Sequence, residues 1–317
     1  MSKIVSDIPE QILKRLKQLG YRPVKAEDQR VFDPYYDQMN GHWSSAASFL
    51  CIIAWSDAVS SFYKPIGDVL CCVQYDGVLG EWMALPFTGR YSSESFENAF
   101  RVFHADMDAL GFPLKIMFLS EWELPFYQSV RGISWETENP RNSMEYIYQN
   151  ADFVESMNRS DSRYRYRYFI RRFAPETVVL TPELRDECLD CMKTVWCPYT
   201  DCSDCYACPL EAVGNVISAL EHLRADGLLV RVNGKPAGLC IVSCRNGLGL
   251  YMFKHADNHM KGLNEYLLRE CFTRFLSEAA EINYTADIGD EGLRAYKSKL
   301  APYTLSPCFT LCGKSDI

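Results

Sequence analysis

At 317 residues the chain is longer than one ordinary domain and fits two. Its 48% hydrophobic and 13% aromatic content can fill sizeable cores, which excludes a disordered tail protein. A net charge of −8 excludes a chain that coats DNA or a membrane surface through a generally basic face, and leaves room only for a local basic patch.

The chain opens on MSKIVSDIPEQILKRLKQLG, an amphipathic helix with Pro9 early, Gly20 as its stop and no apolar signal-peptide core. Tyr21 to Asn40 reads as loop and short helix. Ser44 to Trp55 reads as a helix or strand turning Phe49 and Trp55 inward. Its apolar run, Ala46 to Trp55, is too short to span a bilayer, so no integral membrane segment is expected. With no leader, the 14 cysteines point to a reducing cytoplasm.

Val69 to Phe87 reads as strand, Asp76-Gly77 turn, strand. Ser92 to Leu110 is a helix with Ser93 as candidate N-cap and Gly111 as its left-handed stop. Leu114 to Leu119 is a strand, Glu121 to Val130 a short helix, and Gly132 to Glu138 a strand. Asn139-Pro140-Arg141-Asn142 marks a seam, and the stretch from Ser143 to Phe173 reads as a helical connector.

The second half repeats the order. Gly227 to Phe253 is a meander whose turns are Asn233-Gly234 and Asn246-Gly247, dipeptides that tolerate positive φ at both central positions. A helix follows in which Leu263, Leu267, Leu268, Phe272 and Phe275 keep a helical period. Then come the strand EINYTADIG and the helix DEGLRAYKSKL, closed by Pro302. Meander, helix, strand, helix, strand occurs twice, which predicts a duplicated α+β fold with domains over 1–150 and 151–317. That order resembles the GNAT acyltransferase fold, a mixed, mostly antiparallel splayed sheet flanked by helices.

Four places could carry chemistry. The loop Asp257 to Gly262, with Asn258, precedes the long helix where a GNAT-like fold binds pyrophosphate; it is an anion cradle or an ordinary connector. His255, Asp257, Asp287 and Tyr296 are placed by the element order around the same mouth. His255 alone has an ordinary pKa near 6.5, which makes it either the base of an acyl transfer or a structural imidazole. Between Arg159 and Arg172 six arginines face one aspartate, with Arg163, Arg165 and Arg167 alternating with tyrosines, a pattern for phosphate and base contacts or for a solvated helix face. Cys197, Cys202, Cys205 and Cys208 have spacings that suit zinc, or less well an iron–sulfur cluster, and equally a loop of free thiols.

Several segments resemble a bacterial family related to the C-terminal domain of phosphatidylglycerol lysyltransferase, whose members look like tandem GNAT folds. The pieces are Glu27-Asp28, Ser45 to Trp55 with Phe49, Glu145-Tyr146-Ile147-Tyr148, and the arginine-rich run ending at Phe173. The most specific is INYTADIGDEGLRAYKSKLAP, where Asn283, Asp287, Gly289, Gly292, Leu293, Arg294, Lys297 and Pro302 fall on the family pattern. The arginine-rich run departs from that pattern, which is lysine-rich, and the cysteine loop has no general counterpart in it. The resemblance implies transfer of an acyl or aminoacyl group, from acyl-CoA or aminoacyl-tRNA, to an amine or hydroxyl. It implies that Arg163, Arg165 and Arg167 meet donor phosphates, that Asp287, Arg294 and Lys297 order the mouth, and that Tyr296 protonates the leaving group. The competing readings are an RNA- or polyanion-binding module without catalysis, and a metal- or redox-responsive regulator built on the cysteines.

Overall fold

The computed structural model describes residues 7–39, 44–195, 197 and 208–315. Among the described residues no helix is long and apolar enough to cross a membrane. The chain divides into two compact units, passing from the first to the second between Ser143 and Met144 and returning between Ser306 and Pro307.

The first unit begins with α1 (Glu10–Gln18), β1 (Arg22–Pro23), α2 (Gln29–Tyr36) and α3 (Phe49–Ala54). The meander β2 (Val59–Ile66), β3 (Val69–Asp76), β4 (Glu81–Ala84) and the short β5 (Thr88–Gly89) follow. Helix α4 (Ser93–Leu110) leads to β6 (Lys115–Leu119), and α5 (Leu124–Gln128) to β7 (Ile133–Glu138). Ser92 and Ser95 cap α4 reciprocally, so its N-cap lies one residue before the expected Ser93. Phe96, Phe100, Phe103, Met107 and Leu110 form its inner stripe against Phe87, Ile116 and Tyr127, and Gly111 ends it at φ 69°. At the β3–β4 turn Gly80, and not Gly77, takes the positive φ, while the Asp76 carboxylate accepts from the Val78 and Leu79 amides.

The second unit opens with β8 (Glu145–Gln149), α6 (Asn150–Asn158), α7 (Ser160–Phe173) and β9 (Glu176–Val179). Then come α8 (Arg185–Val195), α9 (Pro209–Ser218) and the meander β10 (Asp226–Val232), β11 (Lys235–Arg245) and β12 (Leu248–Ala256). Helix α10 (Leu263–Cys271) leads to β13 (Glu281–Ala286), and α11 (Glu291–Lys299) to β14 (Thr304–Ser306). Both Asn-Gly turns have positive φ at both residues, as their composition requires. Phe153, Tyr251, Leu267 and Ile282 lie in the core of this unit.

The two sheets share one plan. The first runs β1-β2-β3-β4-β6, and the second β9-β10-β11-β12-β13, antiparallel except for β4/β6 and β12/β13, which are parallel. Each plan ends in two more antiparallel strands, and here the chain exchanges partners. The sixth place of the first sheet is filled by the late strand β15 (Phe309–Ser315), between β6 and β7. The sixth place of the second is filled by β8, which follows β7 in the chain. The stretch read as a helical connector therefore begins as a strand, and the boundary lies at 143/144 and 306/307 rather than at 150/151. The copies agree in detail: the penultimate residues of β6 and β13, Phe118 and Thr285, both have positive φ, at 66° and 55°.

Candidate active site

In the second unit β12 and β13 pair only from Leu248–Leu250 to Glu281–Asn283, after which β12 continues to Ala256 and β13 to Ala286. Tyr251 and Tyr284, both buried, meet edge to face in the split with ring centroids 5.0 Å apart. Lys254 donates to the Tyr296 hydroxyl at 2.8 Å, and both residues are half-buried. Lys254 lies in a β-rich run where nothing but its own charge sets it apart, and the sequence reading missed it.

The end of β13 is bent. Thr285 is β-branched and left-handed, a conformation that persists only where the surroundings enforce it. Asn283 accepts from the Thr285 amide at 2.8 Å and donates to Glu145 at 2.7 Å. Lys297, 3% exposed, donates to the Thr285 carbonyl at 3.3 Å, the Thr285 hydroxyl at 3.1 Å and the Ala286 carbonyl at 2.7 Å. Three acceptors meet the three N–H bonds of an ammonium. Burial pulls the Lys297 pKa down to about 7, against the pull of Asp287 and Glu145.

Asp287 is fully buried and saturated with donors. Its carboxylate accepts from the Tyr146 hydroxyl at 2.7 Å, from Arg294 Nε at 2.9 Å and Nη2 at 3.1 Å, and from the Gly289 amide at 3.0 Å. The Arg294 guanidinium, then the Tyr146 hydroxyl and the Gly289 amide, hold its pKa far below the usual carboxylate range despite burial. So weak a base does not accept a proton near neutral pH, and Asp287 is a clamp between β8, β13 and α11. Capping of α11 falls to Asp290, whose side chain accepts from the Leu293 amide at 2.6 Å.

The structure separates other residues that the sequence grouped. His255 follows Lys254 in β12, so its side chain points to the opposite face of the sheet from the Tyr296 pair. Burial, then Lys254, lowers its pKa to about 4, which leaves a neutral and weakly basic imidazole. Asn258 accepts from the Asn264 side chain at 3.3 Å. Gly262 caps α10 at φ 95°, and a Cβ there would collide with the Arg165 carbonyl and stand 3.0 Å from Phe169 Cβ. The close approach that this glycine permits is thus made by α7. Arg165 pairs with Glu265 at 3.2 Å on the first turn of α10, whereas Arg163 and Arg167 are exposed on the outer face of α7. Cys202 and Cys205 lie outside the described residues. Cys197 and Cys208 are half-buried, and among the described residues no group of three or more His, Cys, Asp or Glu side chains is placed to hold a metal.

Solved structures repeat this layout. A conserved protein of unknown function from Bacteroides thetaiotaomicron VPI-5482 superposes with a TM-score of 0.82 at 18% identity, over 93% of this chain and 99% of that one. L-PGS from Bacillus licheniformis superposes with a TM-score of 0.58 at 15% identity, over 97% and 92% of the two chains. A tandem GNAT protein from the clavulanic acid biosynthesis pathway gives 0.51 at 10% identity, over 93% and 99%. No curated protein matches the chain by sequence. The fold is a tandem GNAT-like one, and with the family match it defines an acyl- or aminoacyl-transferase by class. Residues 39–312 match the family described as phosphatidylglycerol lysyltransferase, C-terminal, and the chain belongs to that family.

Proposed function

We propose that the chain moves an aminoacyl group from an aminoacyl-tRNA to an amine or hydroxyl acceptor, and that the second unit is the reactive one. The observation that carries this reading is the outer face of α7. Arg163, Arg167 and Arg171 stand four residues apart on one exposed face and make no ion pair among the described residues. Tyr164 and Tyr168 border that row with ring centroids 6.2 Å apart, and Lys261 Nζ lies 5.3 and 5.4 Å from the two rings. Guanidinium groups for phosphates beside aromatic faces for bases suit the single-stranded end of an RNA. Acyl-CoA is the less favoured donor, because Gly262 is packed against the α7 backbone.

In the reaction the acceptor nitrogen or oxygen attacks the ester carbonyl and the bond to the tRNA ribose oxygen breaks. Tyr296 gives its proton to that departing oxygen, the Lys254 ammonium stabilises the tyrosinate, and the surplus proton of the acceptor restores the hydroxyl. Asp287, Arg294 and Lys297 act by holding β13 and α11, and so Tyr296, in place.

Transfer measured from charged tRNA and from acyl-CoA tests the reading. Tyr296→Phe is expected to lower the turnover from aminoacyl-tRNA by about 10²–10⁴-fold with tRNA affinity unchanged. Replacing Arg163, Arg167 and Arg171 by Ala together is expected to weaken tRNA binding and flatten its log–log salt slope by about 2–3. Transfer from acyl-CoA with none from aminoacyl-tRNA would overturn it.

A further inference from the structure

The first unit carries a groove of about 560 Å³ between the outer side of α4 and the loop into β7. Its size lies in the range of small-molecule sites. The apolar lining is Val130 and Ile133, both half-buried, over the buried Phe100, and the walls carry Glu97, Arg101, His104 and Arg131. His104 lies nearly parallel to Phe100, with ring centroids 6.1 Å apart, and approaches the Asp108 carboxylate at 3.7 Å.

Among the described residues the Arg101 and Arg131 guanidinium groups have no carboxylate partner. Glu97 and Arg101 stand at the helical spacing and in the order that favour an ion pair, yet Arg101 donates to the Asn98 amide oxygen at 3.3 Å instead. Arg131 is exposed and makes no ion pair among the described residues. Two planar donor forks therefore border an apolar floor, in a chain whose net charge is −8.

We infer that this groove binds a small organic oxyanion, a carboxylate or phosphate ester on an aromatic or branched apolar body. Arg101 and Arg131 take the oxyanion, and Val130 and Ile133 cover the body. The site lies within the first unit and does not depend on the transferase reading, because its test reads binding alone.

Calorimetry on the full chain with phenyl phosphate, phenylacetate, inorganic phosphate and benzylamine tests this. Phenyl phosphate or phenylacetate is expected to bind at least five-fold more tightly than inorganic phosphate, and benzylamine not at all. The stronger of the two aromatic anions identifies the acid. Arg101→Ala and Arg131→Ala, both of exposed residues, are each expected to weaken that binding at least five-fold, while Lys235→Ala, at the exposed start of β11, leaves it unchanged. Equal affinity in all three variants, tighter binding of benzylamine, or no binding of either aromatic anion would overturn the inference.

Discussion

Lys297 shows how one side chain can hold a bent strand and set a pH dependence. Its pKa in the folded chain, about 7, lies below the value of about 10.4 for an unfolded lysine. Between these values the unfolded chain binds a proton that the folded chain does not, so folding becomes more favourable as pH rises through that window. Urea midpoints of the native chain and of Lys297→Met should therefore move apart in favour of the native chain between pH 6.5 and 9.5. A constant difference would count against a buried, depressed lysine. Asp287 acts with the same sign in a more acidic window: its contribution is complete above the ordinary carboxylate range and is lost on acidification. The sequence marked Asp287, Arg294 and Lys297 through their motif. It could not show that Tyr146, 141 positions earlier, supplies a donor to Asp287, because that bond exists only once β8 has joined the sheet. Lys254 escaped because a single lysine in a β-rich run looks like any exposed strand position.

Among the elements, the packing of α7 on α10 explains more than either helix alone. Tyr166 stacks on Tyr266 at 5.6 Å and donates to Glu270 at 2.9 Å, and Phe169 is fully buried. Gly262 lets the two backbones meet. Gly262→Ala is expected to destabilise the chain by about 2–4 kcal/mol, through the left-handed φ and the collision with the Arg165 carbonyl. Gly111→Ala, also at positive φ but with nothing within 4 Å, should cost only about 1 kcal/mol. Equal losses in chemical denaturation would mean that the contact with α7 is unimportant. Helix ends and hairpins were legible because caps and Asn-Gly turns are local chemistry. β8 was not, since five residues with Tyr146 and Tyr148 on one face run into α6 without a break.

For the whole molecule, the duplicated order of elements predicted two copies of one plan, and the sheets have it. What local pattern cannot carry is which sheet a strand joins. β8 and β15 are read correctly as strands only when each is placed in the other copy's sixth position. Deleting residues 307–317 should accordingly damage the first unit, which loses the buried Leu311 and two ladders at once. Hydrogen exchange is the measurement: amides of β6 and β7 should lose protection while those of β11 and β12 keep it. Loss confined to the second unit would contradict the exchange of strands.

The same crossing bears on how the protein is made. Roughly 170 residues separate β7 from β15, and at about 5–20 residues per second the ribosome needs roughly 10–35 s to deliver them. For that interval the nascent first sheet has a gap between β6 and β7, with unpaired amides and carbonyls on both sides. Synthesis of this chain thus opens a window for mispairing between neighbouring nascent chains, and slow codons after β7 would widen it.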